Sequence, residues 1–247
     1  MSARLKYYKY PRLKQPVLVA GMPGIANVGK LAVEYLIHKL SAKRFLELYS
    51  EHFPEWVIQD EGLVNPLKVD FFYCRPEDMK HDMILVTADA QAATPLGQYA
   101  LTGDLLDVAS HHGVKMVGSV AAYVISPEES RTYGVVGAAS DSSMAKILSE
   151  KGVKLLKSGV IVGMNGMLPG MASRLGMRGF CLLGVTEGGF LDAGAAAAVL
   201  KSLSSVLNFK LELRDLEQQA ERLTKLNPPL PAPEIIGTVE EEPTYIR

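Results

Sequence analysis

One segment near the amino terminus has the residue types and the spacing of a phosphate-binding loop. Residues Gly24 to Lys30 match the first seven positions of G-x-x-x-x-G-K-[ST] and lie between a predicted strand and a predicted helix. In such a loop, backbone N–H groups face the phosphates and a hydroxyl at the eighth position binds magnesium. The eighth position here is Leu31, which cannot ligate a cation. We therefore favour a tight turn whose glycines permit close packing over a nucleotide site.

Polar side chains that follow the predicted strands form a second candidate site. The carboxyl ends of parallel strands meet at one edge of a sheet, where open α/β proteins bind ligands. Our candidate strand-end cleft consists of Gly24, Asn27, Asp89, Asn165 and Glu187. Further polar residues leave the same strands at Gln91, Ser126, Glu128 and Glu129. Asp89 and Glu187 are the carboxylate pair we would test for acid–base work, although solvated loops also place polar residues there.

The histidines and cysteines lack the spacing of a metal site or of a known nucleophile. No HxH or HxxxH pattern occurs, and His111-His112 fits a helix C-terminus, where the macrodipole favours a cation. Cys74 and Cys181 are too few for a disulfide framework, which indicates a reducing, cytoplasmic compartment. The nucleophile elbow G-x-S-x-G is absent as well. We predict no metal and no cofactor.

Composition narrows the classes of partner. The chain has 247 residues, of which 48% are hydrophobic and 21% charged, so it can bury a sizeable core. Lys and Arg number 26 against 27 Asp and Glu, and this balance argues against a nucleic-acid-binding surface. No run of about 18 apolar residues is present, which argues against a membrane span.

Short apolar runs that alternate with helical patterns must position these residues. The predicted strands are Val17–Gly21, Met83–Thr87, Lys115–Ile125, Gly159–Gly163 and Phe180–Val185. The predicted helices are Val28–Leu40, Thr94–His112 with a Thr94-Pro95 start, and Asp141–Lys151 capped by Ser140. Near-continuous apolar strands alternating with helices indicate an α/β fold with a largely parallel sheet covered on both faces.

Two regions depart from this alternation. Arg44–Tyr49, Glu55–Gln59 and Lys68–Tyr73 read as strands without intervening helices, with a turn at Gly62–Pro66, so we predict an antiparallel flank. From Asp192 onward, a long amphipathic helix is predicted by the apolar residues Val206, Phe209, Leu213, Leu216, Ala220 and Leu223.

Glycine and proline mark two further segments. Residues 163–171 carry three glycines, a proline and interleaved methionines, which predicts a loop that contacts a ligand or a subunit. After Leu226 the prolines and glutamates cannot continue a helix. We expect one α/β domain over residues 1–226 and a flexible tail over residues 227–247.

Several of these segments, in this order, resemble the proteasome-assembly chaperone 2 family in its archaeal or bacterial form. The similar segments are Gly21–Gly29, Asp60–Gly62, Thr87–Gln91, Gly163–Gly170 and the late helix, and the resemblance covers roughly residues 15–225. It implies a three-layer α/β/α domain, similar to the nucleoside phosphorylase and hydrolase folds, that forms homo-oligomers without catalytic activity. It also implies proteasome α subunits as partners and argues against an ATP site at Gly24–Lys30.

The tail is the candidate partner-binding segment. Related proteasome partners end in a hydrophobic residue, a tyrosine and any residue, whereas this chain ends in Tyr245, Ile246 and Arg247, which moves the tyrosine by one position. A proline-rich spacer that ends in an aromatic, an aliphatic and a carboxylate still suits peptide capture. We therefore expect a non-enzymatic chaperone or adaptor. The alternative is a hydrolase or phosphorylase that acts on small, nucleoside-like molecules through the strand-end carboxylates.

Overall fold

A nine-stranded mixed sheet forms the centre of the part of the chain that is described. A computed structural model describes residues 3–124, 134–189, 191–213 and 216. In spatial order the strands are β1 (Arg4–Tyr7), β3 (Lys43–Tyr49), β6 (Val69–Cys74), β7 (Met83–Ala88), β2 (Val17–Ala20), β8 (Met116–Val124), β11 (Arg178–Thr186), β9 (Val135–Ala139) and β10 (Lys154–Leu155). The four central strands β7, β2, β8 and β11 are parallel to one another, whereas β1, β3 and β6 form an antiparallel flank.

Helices cover both faces of the sheet. The helices are α1 (Val28–Lys39), α2 (Pro95–His111), α3 (Ser142–Glu150), α4 (Met164–Arg174) and α5 (Ala193–Leu207). Val17 and Val19 of β2 face a core shared with α1, α3 and α5, while Leu18 and Ala20 face a second core shared with α2 and α4. This arrangement confirms the three-layer α/β/α fold. Because helices cover both faces, all residues of β2 and β7 are buried, and the resulting apolar runs predict strands in the sequence.

The predicted helices α1, α2 and α3 are confirmed to within two residues at each end. Thr94 caps α2 as expected, since its hydroxyl accepts a hydrogen bond from Gly97 N at 3.1 Å. The predicted Ser140 cap of α3 is wrong. Asp141 takes that position and accepts from Met144 N at 2.8 Å, whereas Ser140 Oγ accepts from Gly179 N at 2.8 Å and holds α3 to β11.

Two predictions around residue 163 are wrong for the same reason. Gly159–Gly163 is not a strand but a connection in which Val160 and Val162 are exposed, and residues 163–171 are not a loop but the start of α4. Met164, Leu168 and Ala172 are buried at spacings of four residues, which is the spacing of one helix face. Burial of this face outweighs the low helix propensities of the glycines and the proline.

The antiparallel flank differs from the prediction at its centre. The expected turn at Gly62–Pro66 is wrong, because Leu63–Pro66 is a strand, β5, that pairs with β4 (Val57–Asp60) in a separate hairpin. Glu61 and Gly62 both have positive φ and form its two-residue turn. β3 then pairs directly with β6, and the hairpin lies outside the main sheet.

The predicted long helix ends early within the described residues. Asn208 adopts a left-handed conformation and terminates α5, with Phe209 N bonded to Ser204 O at 3.0 Å. Phe209 and Leu216 are buried in the same core as α1. The apolar spacing after Asp192 therefore indicates burial of these side chains rather than one continuous helix. Ala220 and Leu223 lie outside the described residues.

A buried carboxylate ties the antiparallel flank together. Glu47 of β3 is 3% exposed, on the sheet face opposite Leu46 and Leu48. Its two oxygens face hydroxyl and cationic groups: Tyr8 (2.7 Å), Tyr49 (2.8 Å), Arg44 (2.9 Å), Lys68 (3.0 Å) and Lys6 (3.3 Å). Burial alone would raise the pKa of Glu47, but these hydrogen bonds and charges outweigh burial and lower its pKa to about 2.

We predict that Glu47→Gln lowers the free energy of unfolding by about 2–3 kcal/mol at neutral pH, because cations remain without their carboxylate. Since folding lowers the pKa of Glu47, the wild-type contribution is complete above about pH 4.5 and is lost as the pH falls through about 2. Urea unfolding followed across this range measures both effects. Glu150→Gln, which removes an exposed carboxylate paired with Lys146, is the matched control and should change stability by less than about 0.5 kcal/mol. A pH dependence identical in wild type and Glu47→Gln would contradict the prediction.

Candidate functional site

The carboxyl ends of β7, β2, β8 and β11 lie at one edge of the sheet, as expected for parallel strands. Asn165, in the first turn of α4, is buried at this edge. Its Oδ1 accepts from Met22 N at 3.0 Å, and its Nδ2 donates to Met22 O at 3.3 Å. The side-chain amide thus pairs with the backbone of the turn after β2, so this predicted site residue holds α4 in place rather than facing a ligand.

Gln91 holds a second amide contact at the same edge. Its Nε2 donates to Pro23 O at 2.6 Å, and its Oε1 accepts from Met164 N at 2.8 Å. The N-cap residue Gly163 provides no side chain for α4, so Gln91 takes over the capping of this helix. Together with Asn165 it joins the turns that follow β2 and β7 to the start of α4.

A third contact compensates for the proline in α4. Pro169 has no N–H, so the carbonyl of Asn165, four residues earlier, lacks its helical donor. The hydroxyl of Ser119 on β8 donates to this carbonyl instead, and both groups are buried. Ser119 therefore satisfies the acceptor that the proline leaves open.

Of the remaining members of the predicted cleft, only Gly24 lies beside Asn165. Gly24 lies beside the amides of Gln91 and Asn165, while Asn27 begins α1 with a positive φ. Glu187 is exposed after β11. Asp89 follows β7, and two strands separate β7 from β11, which places their ends about 14 Å apart. Asp89 and Glu187 thus do not form one carboxylate pair. Ser126, Glu128 and Glu129 lie outside the described residues.

Asp89 lies in a different cleft, of about 590 Å³, between α1 and β6. Its Oδ2 accepts from Lys68 N at 3.0 Å. Burial raises the pKa of Asp89 and that of Glu34 on α1, while the ammonium of Lys30 counteracts both shifts. Lys30 itself donates to Ala88 O at 3.0 Å and lies 3.6 Å from Glu34.

The segment that resembles a phosphate-binding loop packs instead as a close strand-to-helix turn. A Cβ at Gly21 would overlap the carbonyl of Gly29, and a Cβ at Gly29 would overlap the carbonyl of Val120 on β8. The backbone of α1 therefore rests directly on the sheet. The ammonium group of Lys30 donates a hydrogen bond to the carbonyl of Ala88 at the end of β7, so this lysine already has a partner within the domain.

Cysteine chemistry is not favoured by the environment of either thiol. Both Cys74 and Cys181 are buried and free. Burial raises the pKa of Cys74 to about 12 and that of Cys181 to about 11, so the thiolate is scarce at neutral pH. Within the described ranges, no group of His, Cys, Asp and Glu side chains is placed to hold a metal ion. Nor is any helix in those ranges long and apolar enough to span a membrane.

Exposed apolar side chains occupy the same edge as the buried amides. We call Ile25, Leu96, Tyr99, Tyr123 and Val124 the apolar edge; they follow β2, begin α2 or end β8, and Leu96 is 74% exposed. Large apolar side chains that remain exposed together are typical of protein-binding surfaces. No pattern in the sequence predicts this surface, because each residue falls within a segment that also contributes to the core. A single-residue signal for this surface is present in the sequence: the large apolar residue Leu96 directly follows the Thr94-Pro95 start of α2.

The family of the chain follows from a model that matches residues 18–226, described as the PAC2 family. The chain belongs to the PAC2 family. The resemblance in the sequence is thereby confirmed. A relative of this PAC2 protein in Methanocaldococcus jannaschii, the uncharacterised protein MJ1210, is 32% identical over 212 residues, which cover 84% of this chain and 80% of the relative.

Solved structures support the same assignment. PbaB of Pyrococcus furiosus, described as an archaeal proteasome activator, is 32% identical with a TM-score of 0.81, covering 91% of this PAC2 chain and 97% of PbaB. PbaA of the same organism, described as an archaeal homologue of proteasome-assembly chaperone, is 27% identical with a TM-score of 0.73, covering 91% of this chain and 94% of PbaA. The fold is thus that of PAC2 proteins.

The contact between Ser119 and Asn165 yields a prediction with an internal control. Ser119→Ala should lower the free energy of unfolding by about 1–3 kcal/mol, because the buried Asn165 carbonyl then has no donor. Pro169→Ala restores the helical N–H, so the same serine substitution should cost at least about 1 kcal/mol less in that background. Urea unfolding of the four chains measures this coupling. Additive effects would show that the hydroxyl does not replace the missing helical donor.

Proposed function

We propose that this protein is a non-enzymatic proteasome-assembly chaperone or adaptor that forms homo-oligomers and binds proteasome α subunits. The observation that carries the proposal is the likeness to PbaB over nearly the full length of both chains. The edge itself agrees with a role in binding, since Asn165 and Gln91 use their amides within the domain while apolar side chains remain exposed. Cytoplasmic proteasome subunits are the partners that this role implies.

The tail and the apolar edge are the two surfaces that we assign to the α subunits. Tyr245, Ile246 and Arg247 lie outside the described residues and remain our candidate for insertion into a pocket between subunits. The carboxylate, the aliphatic side chain and the phenol suit such a pocket, and the preceding prolines provide reach. Leu96 and Tyr99 provide a folded apolar surface that can contact the same partner.

We predict that removal of residues 227–247, and Tyr245→Ala in the full chain, each lower the retention of immobilised proteasome α subunits at least about tenfold, which corresponds to about 1.4 kcal/mol. Binding titrations by biolayer interferometry measure this loss. Thr238→Ala, in the same tail, is the matched control and should leave binding unchanged. If the full chain fails to bind α subunits while a known α-subunit ligand binds them, the chaperone proposal is wrong. If both tail variants bind as the full chain does, only the assignment to the tail is wrong.

A second candidate function has one observation in its favour. Asp89 and Glu34 have raised pKa values in a cleft that also contains Lys30, and such groups are frequent in active sites. The candidate is a hydrolase or phosphorylase of nucleoside-like compounds. Thermal unfolding in the presence of nucleosides, nucleotides and phosphate tests it, because a ligand at 100 times its Kd adds about 2.7 kcal/mol of stability. A rise in Tm that Asp89→Asn abolishes supports a binding site for that compound in this cleft, and no rise with any compound excludes these ligand classes.

A further inference from the structure

The first strand of the sheet has an open outer edge. Among the described strands, β1 pairs only with β3 and lies first in the strand order. Tyr8 N donates to Phe45 O at 2.9 Å, and successive opposite residues of an antiparallel pair alternate between hydrogen-bonded and non-hydrogen-bonded. The backbone groups of Lys6 therefore face β3, whereas those of Leu5 and Tyr7 face outwards. This edge can accept one more strand.

One face of β1 and β3 presents cations beside this edge. Arg4 and Lys6 are both exposed and two residues apart in β1, so they share a face. Lys6 and Arg44 lie over the same ring, that of Tyr8, at 4.8 and 5.1 Å from its centroid. Their shared carboxylate, Glu47, is buried, whereas the side chains of Lys6 and Arg44 are 58% and 41% exposed. Both cations thus keep an open side for a further carboxylate.

The neighbouring charges leave an excess of cations at this edge. Asp70 of β6 is already paired with Lys68 at 2.8 Å. Lys9 adds an exposed cation just after β1, and the exposed acids from Glu51 onward follow β3, beyond its pair with Arg4. Cations on an edge strand deter most strands from pairing there. A strand that carries acids is the exception, because its charges are complementary.

A segment of the tail has the matching composition. Residues 226–246 contain four glutamates and no Lys or Arg, and three of these acids are consecutive, Glu240–Glu242. Residues 235–239, directly before them, read Ile-Ile-Gly-Thr-Val, and β-branched side chains favour extended strands. We call residues 235–242 the acidic segment. It lies outside the described residues.

The described part of the chain ends within reach of this edge. Leu216 is buried in the core between α1 and strands β2 and β7, and Tyr35 of α1 donates to Glu212 O at 2.6 Å. Four strand spacings separate β2 from β1, which is about 19 Å. A flexible chain of the length of residues 217–234 has a root-mean-square span of about 23 Å. A linker whose span matches the distance gives the acidic segment a high effective concentration at β1.

We propose that the acidic segment of the tail adds as an outer strand to β1 of its own chain. Its backbone pairs with the outward groups of Leu5 and Tyr7. Alternate side chains of a strand share a face, so Glu240 and Glu242 point together towards the cations around Lys6. The edge thereby gains a partner that its charges select.

Docking of this kind controls access to the end of the tail. Only Pro243 and Thr244 separate the acidic segment from Tyr245, so a docked tail keeps Tyr245 against the domain. The apparent affinity of a partner for the tail then falls with the fraction of tails that are free. This consequence rests on the proposed function, whereas the docking itself does not.

Hydrogen–deuterium exchange of full-length chains, resolved to single amides, tests the docking. The variant Thr238→Pro/Val239→Pro removes two successive N–H groups, one of which must face β1 in any register. The amides of Leu5 and Tyr7 should exchange about tenfold faster in this variant than in wild type. Leu230→Pro/Ala232→Pro, in the proline-rich part of the same tail, is the matched control and should exchange as wild type does.

Charge reversal tests the part of the acids. Glu240→Lys/Glu242→Lys and Arg4→Glu/Lys9→Glu should each raise the exchange rates of the outward amides, and a chain with all four substitutions should regain most of the protection. The Lys6 amide, which faces β3, should exchange equally in every chain. Faster exchange at Lys6 as well would show that β1 itself has detached, which overturns the assignment of the effect to the tail.

Co-expression of two variants tests whether docking occurs within one chain. Thr238→Pro/Val239→Pro has an intact edge, and Arg4→Glu/Lys9→Glu has an intact acidic segment. In the mixed product, the β1 peptide with native Arg4 comes only from the proline variant, and its exchange should stay fast. Recovered protection of this peptide assigns the acidic segment to a neighbouring copy and overturns docking within one chain.

Binding to immobilised α subunits tests the consequence for the tail. Tenfold protection corresponds to about one free tail in ten, so Arg4→Glu/Lys9→Glu, whose tail is unchanged, should bind about tenfold more tightly than wild type. Unchanged affinity rejects the competition. Absence of any binding by wild type rejects the proposed function, whereas the exchange results still hold. Equal exchange of Leu5 and Tyr7 in wild type and in the proline variant overturns the docking itself.

Discussion

The close approach of α1 to the sheet is the constraint on which the rest of this structure depends. Glycine at position 21 lets the turn after β2 lie against the first turn of α1, and glycine at position 29 lets that turn of α1 lie against the backbone of β8; a Cβ at either position would overlap a carbonyl. The turn is therefore fixed, and Met22 and Pro23 present backbone groups in defined positions. The amides of Asn165 and Gln91 bind those groups, so the start of α4 is set by the same turn.

The polar side chains buried at the carboxyl-end edge are engaged within the domain. In many α/β enzymes, polar side chains at this edge remain available for a ligand. Here the amides and the Ser119 hydroxyl form hydrogen bonds with backbone groups of neighbouring elements. Because Pro169 has no N–H, it leaves one more carbonyl of α4 in need of a donor. Apolar side chains such as Leu96 and Tyr99 remain exposed at the edge.

Carboxylates have different surroundings inside and outside the antiparallel flank. Inside, Glu47 is surrounded by hydroxyls and cations that hold its pKa at about 2, so it joins β1 and β6 to β3. Outside, the acids of the hairpin segment face solvent without cations in that stretch of sequence. The first arrangement stabilises the sheet.

The sequence by itself determined the layered α/β fold, the central strands, α1 to α3 and the family, because long buried runs and capping residues such as Thr94 are local signals. It did not reveal α4, since Gly166, Pro169 and Gly170 disfavour a helix, and only packing against β8 and β11 stabilises one there. Likewise the partner of the Asn165 side chain, Met22, is more than 140 residues away in sequence and follows from no local pattern. Tertiary structure alone decided that Asp89 and Glu187 stay apart and that apolar side chains face solvent, because strand order sets which loops meet.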